Sequence, residues 1–197
     1  MNKIVLFHTG FARIEKPDIS IGRVNADFGQ GFYLSDNPEF SKRWARERKG
    51  LITYLNTYEL DPNGLRIKRF RRDTEWFEYI YANRSGRNDT LTGCDVIIGP
   101  IANDTIYDTW GIITSGLIRK EQALRLLSFG PMYTQTVIKT EKGAGALRFV
   151  SATELSGDEI AAYRDTVRQE ENAFQNRFSE LLEEIMDSRA ENPEGTA

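Results

Sequence analysis

The sequence predicts a mixed α+β domain over residues 1–150 and an acidic helical appendage over 151–197. Three observations carry this. Short apolar runs such as Lys3–Phe7, Phe32–Leu34 and Val96–Ile98 are spread between helix-like segments rather than grouped. Strong breakers separate them, among them Asp61-Pro62-Asn63-Gly64, Gly99-Pro100 and Gly130-Pro131. From Ser156 onward one apolar stripe runs at three- and four-residue spacing through Ile160, Tyr163, Val167, Phe174, Phe178, Leu181 and Ile185.

Taken in order, Lys3–Phe7 reads as a strand closing in His8-Thr9-Gly10, and Pro17–Ala26 as a loop. Strand ends deliver side chains into crevices, which makes the polar triplet a candidate site. In Asp27-Phe28-Gly29-Gln30-Gly31-Phe32-Tyr33-Leu34-Ser35, two glycines one residue apart permit a close backbone approach, and Phe32–Leu34 is a short strand. Asn37-Pro38 supplies the cap and first turn of a helix expected to reach Lys49, before Gly50. Leu51–Leu60 alternates as a strand, and the turn at 61–64 predicts a hairpin with a second strand over Leu65–Phe70.

Asp73-Thr74 starts a helix carrying Trp76, Phe77 and Ile80, which ends by Asn83–Gly86. Val96–Ile98 reads as a short central strand. Helices are expected over Asp104–Thr114 and Arg119–Phe129, then strands over Thr134–Ile138 and Leu147–Val150 around a Lys-Gly-Ala-Gly turn. Ser156-Gly157-Asp158-Glu159 is a capping box from which the long helix runs to about Arg189. Glu191–Ala197 has a disordered composition.

Composition narrows the chemistry. No apolar run approaches the roughly 18 residues of a membrane span, and none near the N-terminus suits a signal peptide. A cytoplasmic location is expected, in keeping with a single cysteine, Cys94, which leaves no internal disulfide. Cys94 precedes an apolar run and reads as a small buried hydrophobe. One cysteine and one histidine do not furnish the usual zinc site, so no metal is expected. His8 is the sole imidazole. Residues 151–197 hold 12 acids against 4 arginines, a net of −8, which leaves +5 for residues 1–150. A basic body suits phosphate-bearing ligands and an acidic helix suits a partner or regulator, although a solvated face explains the helix equally well.

Asp27-Phe28-Gly29 is not the kinase triplet, because neither a phosphate-covering glycine loop nor a His-Arg-Asp loop accompanies it. Gly29-x-Gly31 likewise lacks the third glycine and the acid of a dinucleotide fingerprint. The run Arg66, Lys68, Arg69, Arg71, Arg72 is either a nucleic-acid contact or a charged edge strand.

Set together, His8 at the first strand's end, Phe28-Gly29-x-Gly31-Phe32-Tyr33, and then Ser41 and Trp44 resemble the core of diphtheria-toxin-like and poly-ADP-ribose-polymerase-like ADP-ribosyltransferases. Residues 1–150 also look like an uncharacterised bacterial family grouped with these transferases, through Trp44-Ala45, Asn83-Arg84 and Asp95–Pro100. The resemblance implies a split mixed sheet with flanking helices and NAD as a substrate. Tyr33 and Trp44 would sandwich the nicotinamide, Ser41 and the backbone of Thr9 and Gly10 would hold its carboxamide, and His8 would bind a ribose hydroxyl. Gly31 and Phe32 would line the same site. The family's His-Gly is here interrupted by Thr9. The third catalytic position, usually glutamate, falls on Gln135, with Glu141 as the alternative if that strand is longer. Resemblance to relatives lacking that glutamate implies mono- rather than poly-ADP-ribosylation, or an impaired enzyme. Relatives of this kind look like toxins of toxin–antitoxin or phage-defence pairs, with the C-terminal helix available to an antitoxin or regulator. The acceptor stays open between protein, nucleic acid and small molecule. The competing readings are an RNA 2′-phosphotransferase-like enzyme, a catalytically silent NAD- or nucleic-acid-binding module, and a structural protein that docks partners through its C-terminal helix.

Overall fold

Among the described residues the chain is α+β, with seven strands in one mixed sheet and a long C-terminal helix. The computed structural model describes residues 2–102, 122, 124 and 132–190. The strands are β1 (Ile4–Gly10), β2 (Phe32–Ser35), β3 (Thr53–Leu60), β4 (Ile67–Arg69), β5 (Val96–Pro100), β6 (Thr134–Ile138) and β7 (Leu147–Leu155). The helices with described bounds are α1 (Pro38–Lys42), α2 (Thr74–Arg84), α3 (Glu141–Gly145) and α4 (Gly157–Ala190). No helix among the described residues is long and apolar enough to cross a membrane.

The sheet order is β4-β5-β6-β2-β1-β3-β7, with β4 and β5 parallel and the other neighbours antiparallel. Its apolar core gathers Leu6, Phe32, Leu34, Tyr58, Leu60, Val96, Ile98 and Ile138 from five strands. The ladder is uneven in one place that matters. β1 pairs with β3 along its whole length, but it meets β2 at one register position, Phe7 opposite Ser35. Beyond that pair the two strands part.

Four expectations are corrected. The β3–β4 hairpin does not form: the turn at 61–64 is present, but β4 joins β5 at the other edge of the sheet. The Asp95 carboxylate takes the Arg66 N–H at 2.8 Å, and Asp95 N donates to Arg66 O, which fixes β4 beside β5. The helix from Pro38 stops at Lys42 rather than Lys49. Arg43, Trp44 and Ala45 donate to carbonyls three residues back, which tightens the last turn, and the Thr53 hydroxyl donates to the Arg46 carbonyl at 2.6 Å. The Lys-Gly-Ala-Gly turn is the short helix α3, capped by Thr140, whose Oγ1 accepts from Gly143 N. The last strand does not stop at Val150 but runs to Leu155, through the 150/151 boundary.

The capping box forms as read: Glu159 accepts from Ser156 N at 2.9 Å, and Ser156 Oγ accepts from Glu159 N. The chain divides into two units, residues 1–101 with 132–166, and residues 102–131 with 167–197. In the first, Ile160 of α4 packs with Ala45, Leu55 and Leu155. In the second, Phe178, Leu181 and Ile185 of the apolar stripe are buried. The helix expected over 104–114 and the tail 191–197 lie outside the described residues, and of the helix expected over 119–129 the two described residues, Gln122 and Leu124, are helical.

Candidate functional site

The glycines before β2 serve close packing of backbone on backbone. A Cβ on Gly31 would stand 2.6 Å from the Ile138 carbonyl oxygen, and one on Gly22 would stand 2.2 Å from that of Gly31. Gly29 has φ +71°, which favours glycine. The turn it makes is pinned from β2, because the Tyr33 hydroxyl donates to Gly29 O at 2.7 Å and accepts from Phe28 N at 2.9 Å. Lys139 donates to Phe28 O as well. Tyr33 is half-buried, and burial, with the Asp27 carboxylate second, pushes its phenol far above the usual range. It is a neutral anchor at any physiological pH.

His8 sits where β1 leaves β2. Its Nδ1 donates to the main-chain carbonyl of Tyr33 at 2.8 Å, and its ring centroid is 4.5 Å from that of Phe32. A carbonyl accepts only, so Nδ1 carries the hydrogen and Nε2 is left as an acceptor. Burial lowers the pKa of His8, and the Tyr33 bond opposes that only in part. A Cβ on Gly10 would approach Nε2 to 3.2 Å, so the residue at that position must be small for Nε2 to be reached.

Thr9 and Ser41 come together from β1 and α1, their hydroxyl oxygens 3.1 Å apart. Ser41 is buried, whereas a helix-surface hydroxyl would be exposed. Asn37 caps α1 by accepting from Phe40 N, and Pro38 starts it, so the helix presents Ser41 to the end of β1. Trp44 lies just past the helix, 51% exposed, with its ring edge-on to Phe40.

Gln135 is buried, and its Nε2 donates to Asp27 Oδ2 at 3.0 Å. Asp27 also forms a buried ion pair with Arg84, which donates from Nε at 2.7 Å and from its Nη2. Asn83 Nδ2 donates to the Asp27 carbonyl at 3.1 Å. Asp27 is the residue that sequence reasoning missed as a centre of interactions. The available signal was Asn83-Arg84 at a helix end, a cation that would need a buried acid. Glu141 lies beyond the end of β6, exposed in the first turn of α3, and so is not on the strand the alternative required.

Register shows how the residues are distributed. Tyr33 opposes Val137 and Ser35 opposes both Phe7 and Gln135, so Tyr33, Gln135 and Thr9 share one face of the sheet. His8, with Phe32, belongs to the other face, and its imidazole reaches β2 across the gap. The Arg66–Arg72 run is largely engaged locally, Lys68 with Glu75, Arg66 with Asp95 and Arg72 with the Ile101 carbonyl. Cys94 is a half-buried free thiol.

Residues 4–149 match the model of a family described as a protein of unknown function (DUF3990). No curated protein and no solved structure matches the chain.

Proposed function

The chain belongs to the DUF3990 family, and we propose that it is a mono-ADP-ribosyltransferase that uses NAD as its substrate. The observation that carries this reading is the parting of β1 from β2. There the acceptor Nε2 of His8 and the hydroxyl pair of Thr9 and Ser41 flank a single strand end. These groups suit the polar parts of NAD: Nε2 takes a ribose hydroxyl, and the Ser41 hydroxyl with the backbone of Thr9 and Gly10 takes the carboxamide. Tyr33 and the exposed Trp44 offer aromatic faces to the cationic nicotinamide ring. In the reaction the nicotinamide–ribose bond breaks, a bond forms between the ribose carbon and a nucleophile of the acceptor, and the acceptor's proton is released.

The protein's part is positioning, since every group named binds or orients rather than attacks. Gln135 acts through placement. Its amide is fixed by Asp27, so it donates to that carboxylate and supplies no negative charge of its own.

Incubating the protein with NAD labelled in its adenylate half, together with a cell lysate, tests the proposal. Transfer of label with release of nicotinamide is expected, and Ser41→Ala should weaken both. Absence of transfer and release, with Tyr33→Ala leaving NAD binding unchanged, would contradict it.

A second reading, an NAD-binding module without turnover, draws on the same Gln135–Asp27 bond. In that case Gln135→Glu creates no transfer activity while calorimetric NAD binding persists.

A further inference from the structure

Gly29, whose carbonyl receives the Tyr33 hydroxyl, also lines a cleft of about 360 Å³ that shares no side chain with the His8–Ser41 region. Its polar lining includes Gln30, Asn83, Arg87, Asn88, Asp89 and Lys139. Lys139 is the buried member, with its side chain 5% exposed. An ammonium carries three donors. One goes to the Phe28 carbonyl and one to Asp89 Oδ2 at 2.9 Å, and the third has no protein partner among the described residues.

The bare backbone of Gly29 keeps this ammonium within reach. A Cβ there would stand 2.9 Å from Lys139 Nζ, 3.0 Å from Asp89 Oδ2 and 3.3 Å from Asn83 Oδ1. The negative charge of Asp89 is already spent. Burial pushes its carboxyl up, but Lys139, the Tyr79 hydroxyl at 2.6 Å and the Leu91 N–H at 2.8 Å outweigh that and hold it ionised. Arg87, its guanidinium carbon 5.2 Å from the Tyr81 ring centre, then gives the cleft a net positive charge.

From this arrangement we propose that the cleft binds a nucleoside monophosphate. Arg87 and the third N–H of Lys139 take the phosphate, a pairing in which both donors are charged. The amide of Asn88 and the Oε1 of Gln30, whose Nε2 is held by the Ser20 carbonyl, face the donors and acceptors of the base edge. The volume lies at the small end of the range for ligand sites and suits a mononucleotide. The cleft shares no side chain with the groups assigned to NAD, so the two assignments do not compete.

The test is calorimetric titration of the full chain with AMP, GMP, CMP and UMP, and with adenosine and inorganic phosphate as controls. At least one monophosphate should bind, more tightly than phosphate or adenosine. Arg87→Gln should weaken it about tenfold or more, the loss expected for one charge-assisted phosphate contact. Asn88→Trp, at an exposed position, should block it, whereas Ser41→Ala should leave it unchanged. Binding by none of the four overturns the proposal. So does inorganic phosphate binding as tightly as the best monophosphate, or equal affinity in wild type, Arg87→Gln and Asn88→Trp. Loss of NAD binding in Ser41→Ala with monophosphate binding retained separates the two sites.

Discussion

His8 Nδ1 donates to the Tyr33 carbonyl at 2.8 Å, across the point where β1 parts from β2. The imidazole stands where a backbone N–H of a continuing ladder would otherwise satisfy that carbonyl. It thereby does two jobs, closing the gap with one nitrogen and offering the other as an acceptor.

The two jobs separate by mutation. Asparagine places an amide donor near the position of Nδ1, whereas alanine leaves the carbonyl unpaired. His8→Ala should therefore be less stable than His8→Asn by about 1–2 kcal/mol in urea denaturation. Both variants lack Nε2, so both should lose label transfer, by about 100-fold, the scale of removing one positioned hydrogen bond from a site. Equal stability of the two variants would contradict the structural role.

Burial holds the His8 pKa below 6.5, so its effect on stability has a defined sign. As pH falls below 6.5 the unfolded chain takes up a proton that the folded chain refuses, and stability drops until the folded pKa is passed. The Asp89 and Asp95 carboxyls, both held below 3.8, add their own loss only in more acid solution. Melting temperatures measured between about pH 8 and pH 5 should fall for wild type and stay flatter for His8→Asn. Parallel profiles would show that His8 is not the titrating group.

Asp27, Arg84 and Gln135 form a buried set in which one carboxylate serves a guanidinium and an amide. Asp27→Asn breaks the buried ion pair with Arg84, and a loss of about 3–5 kcal/mol is expected. Gln135→Glu has a different signature. It places a second carboxylate where the amide nitrogen lies 3.0 Å from Asp27, so the pKa of the pair is raised in the folded state. Stability of that variant should fall as pH rises above about 4.3, the ordinary glutamate value. A pH-independent loss would show that the side chain had swung away from Asp27.

Glycine substitutions give a graded stability series. Gly31→Ala and Gly22→Ala drive a methyl into backbone oxygens at 2.6 and 2.2 Å and should cost about 1–3 kcal/mol or more. Gly145→Ala meets nothing within 4 Å and should stay within about 0.5 kcal/mol of wild type. Denaturant midpoints check the order.

What the sequence conveyed well was local. The Asn37 cap, the Ser156–Glu159 box and the strands around Phe32–Leu34, Val96–Ile98 and Thr134–Ile138 follow from cap chemistry and from apolar runs bounded by breakers. The errors were in partners. Alternation in 53–60 marks a strand but does not say which neighbour it takes, so a nearby turn suggested a hairpin where β4 in fact crosses to β5. The helix at Pro38 ended early because its exit is fixed by Thr53 and Arg46, fifteen and eight residues on, which no propensity within the segment records. At the candidate site, the positions of His8, Ser41 and Gln135 were legible as residues to watch. That Gln135 is bound by Asp27, and that His8 reaches Tyr33 through its backbone, depends on strand register and could not be read from spacing.

The chain contains a single histidine, so one imidazole signal reports on the region proposed to bind NAD. The most direct test is a titration of the ¹⁵N-labelled full chain with NAD while the His8 ring nitrogens are followed by NMR. The account predicts that the Nε2 resonance moves and saturates with NAD, while Nδ1 keeps the shift of a protonated nitrogen bound to the Tyr33 carbonyl. An Nε2 resonance that stays fixed through saturating NAD would contradict it.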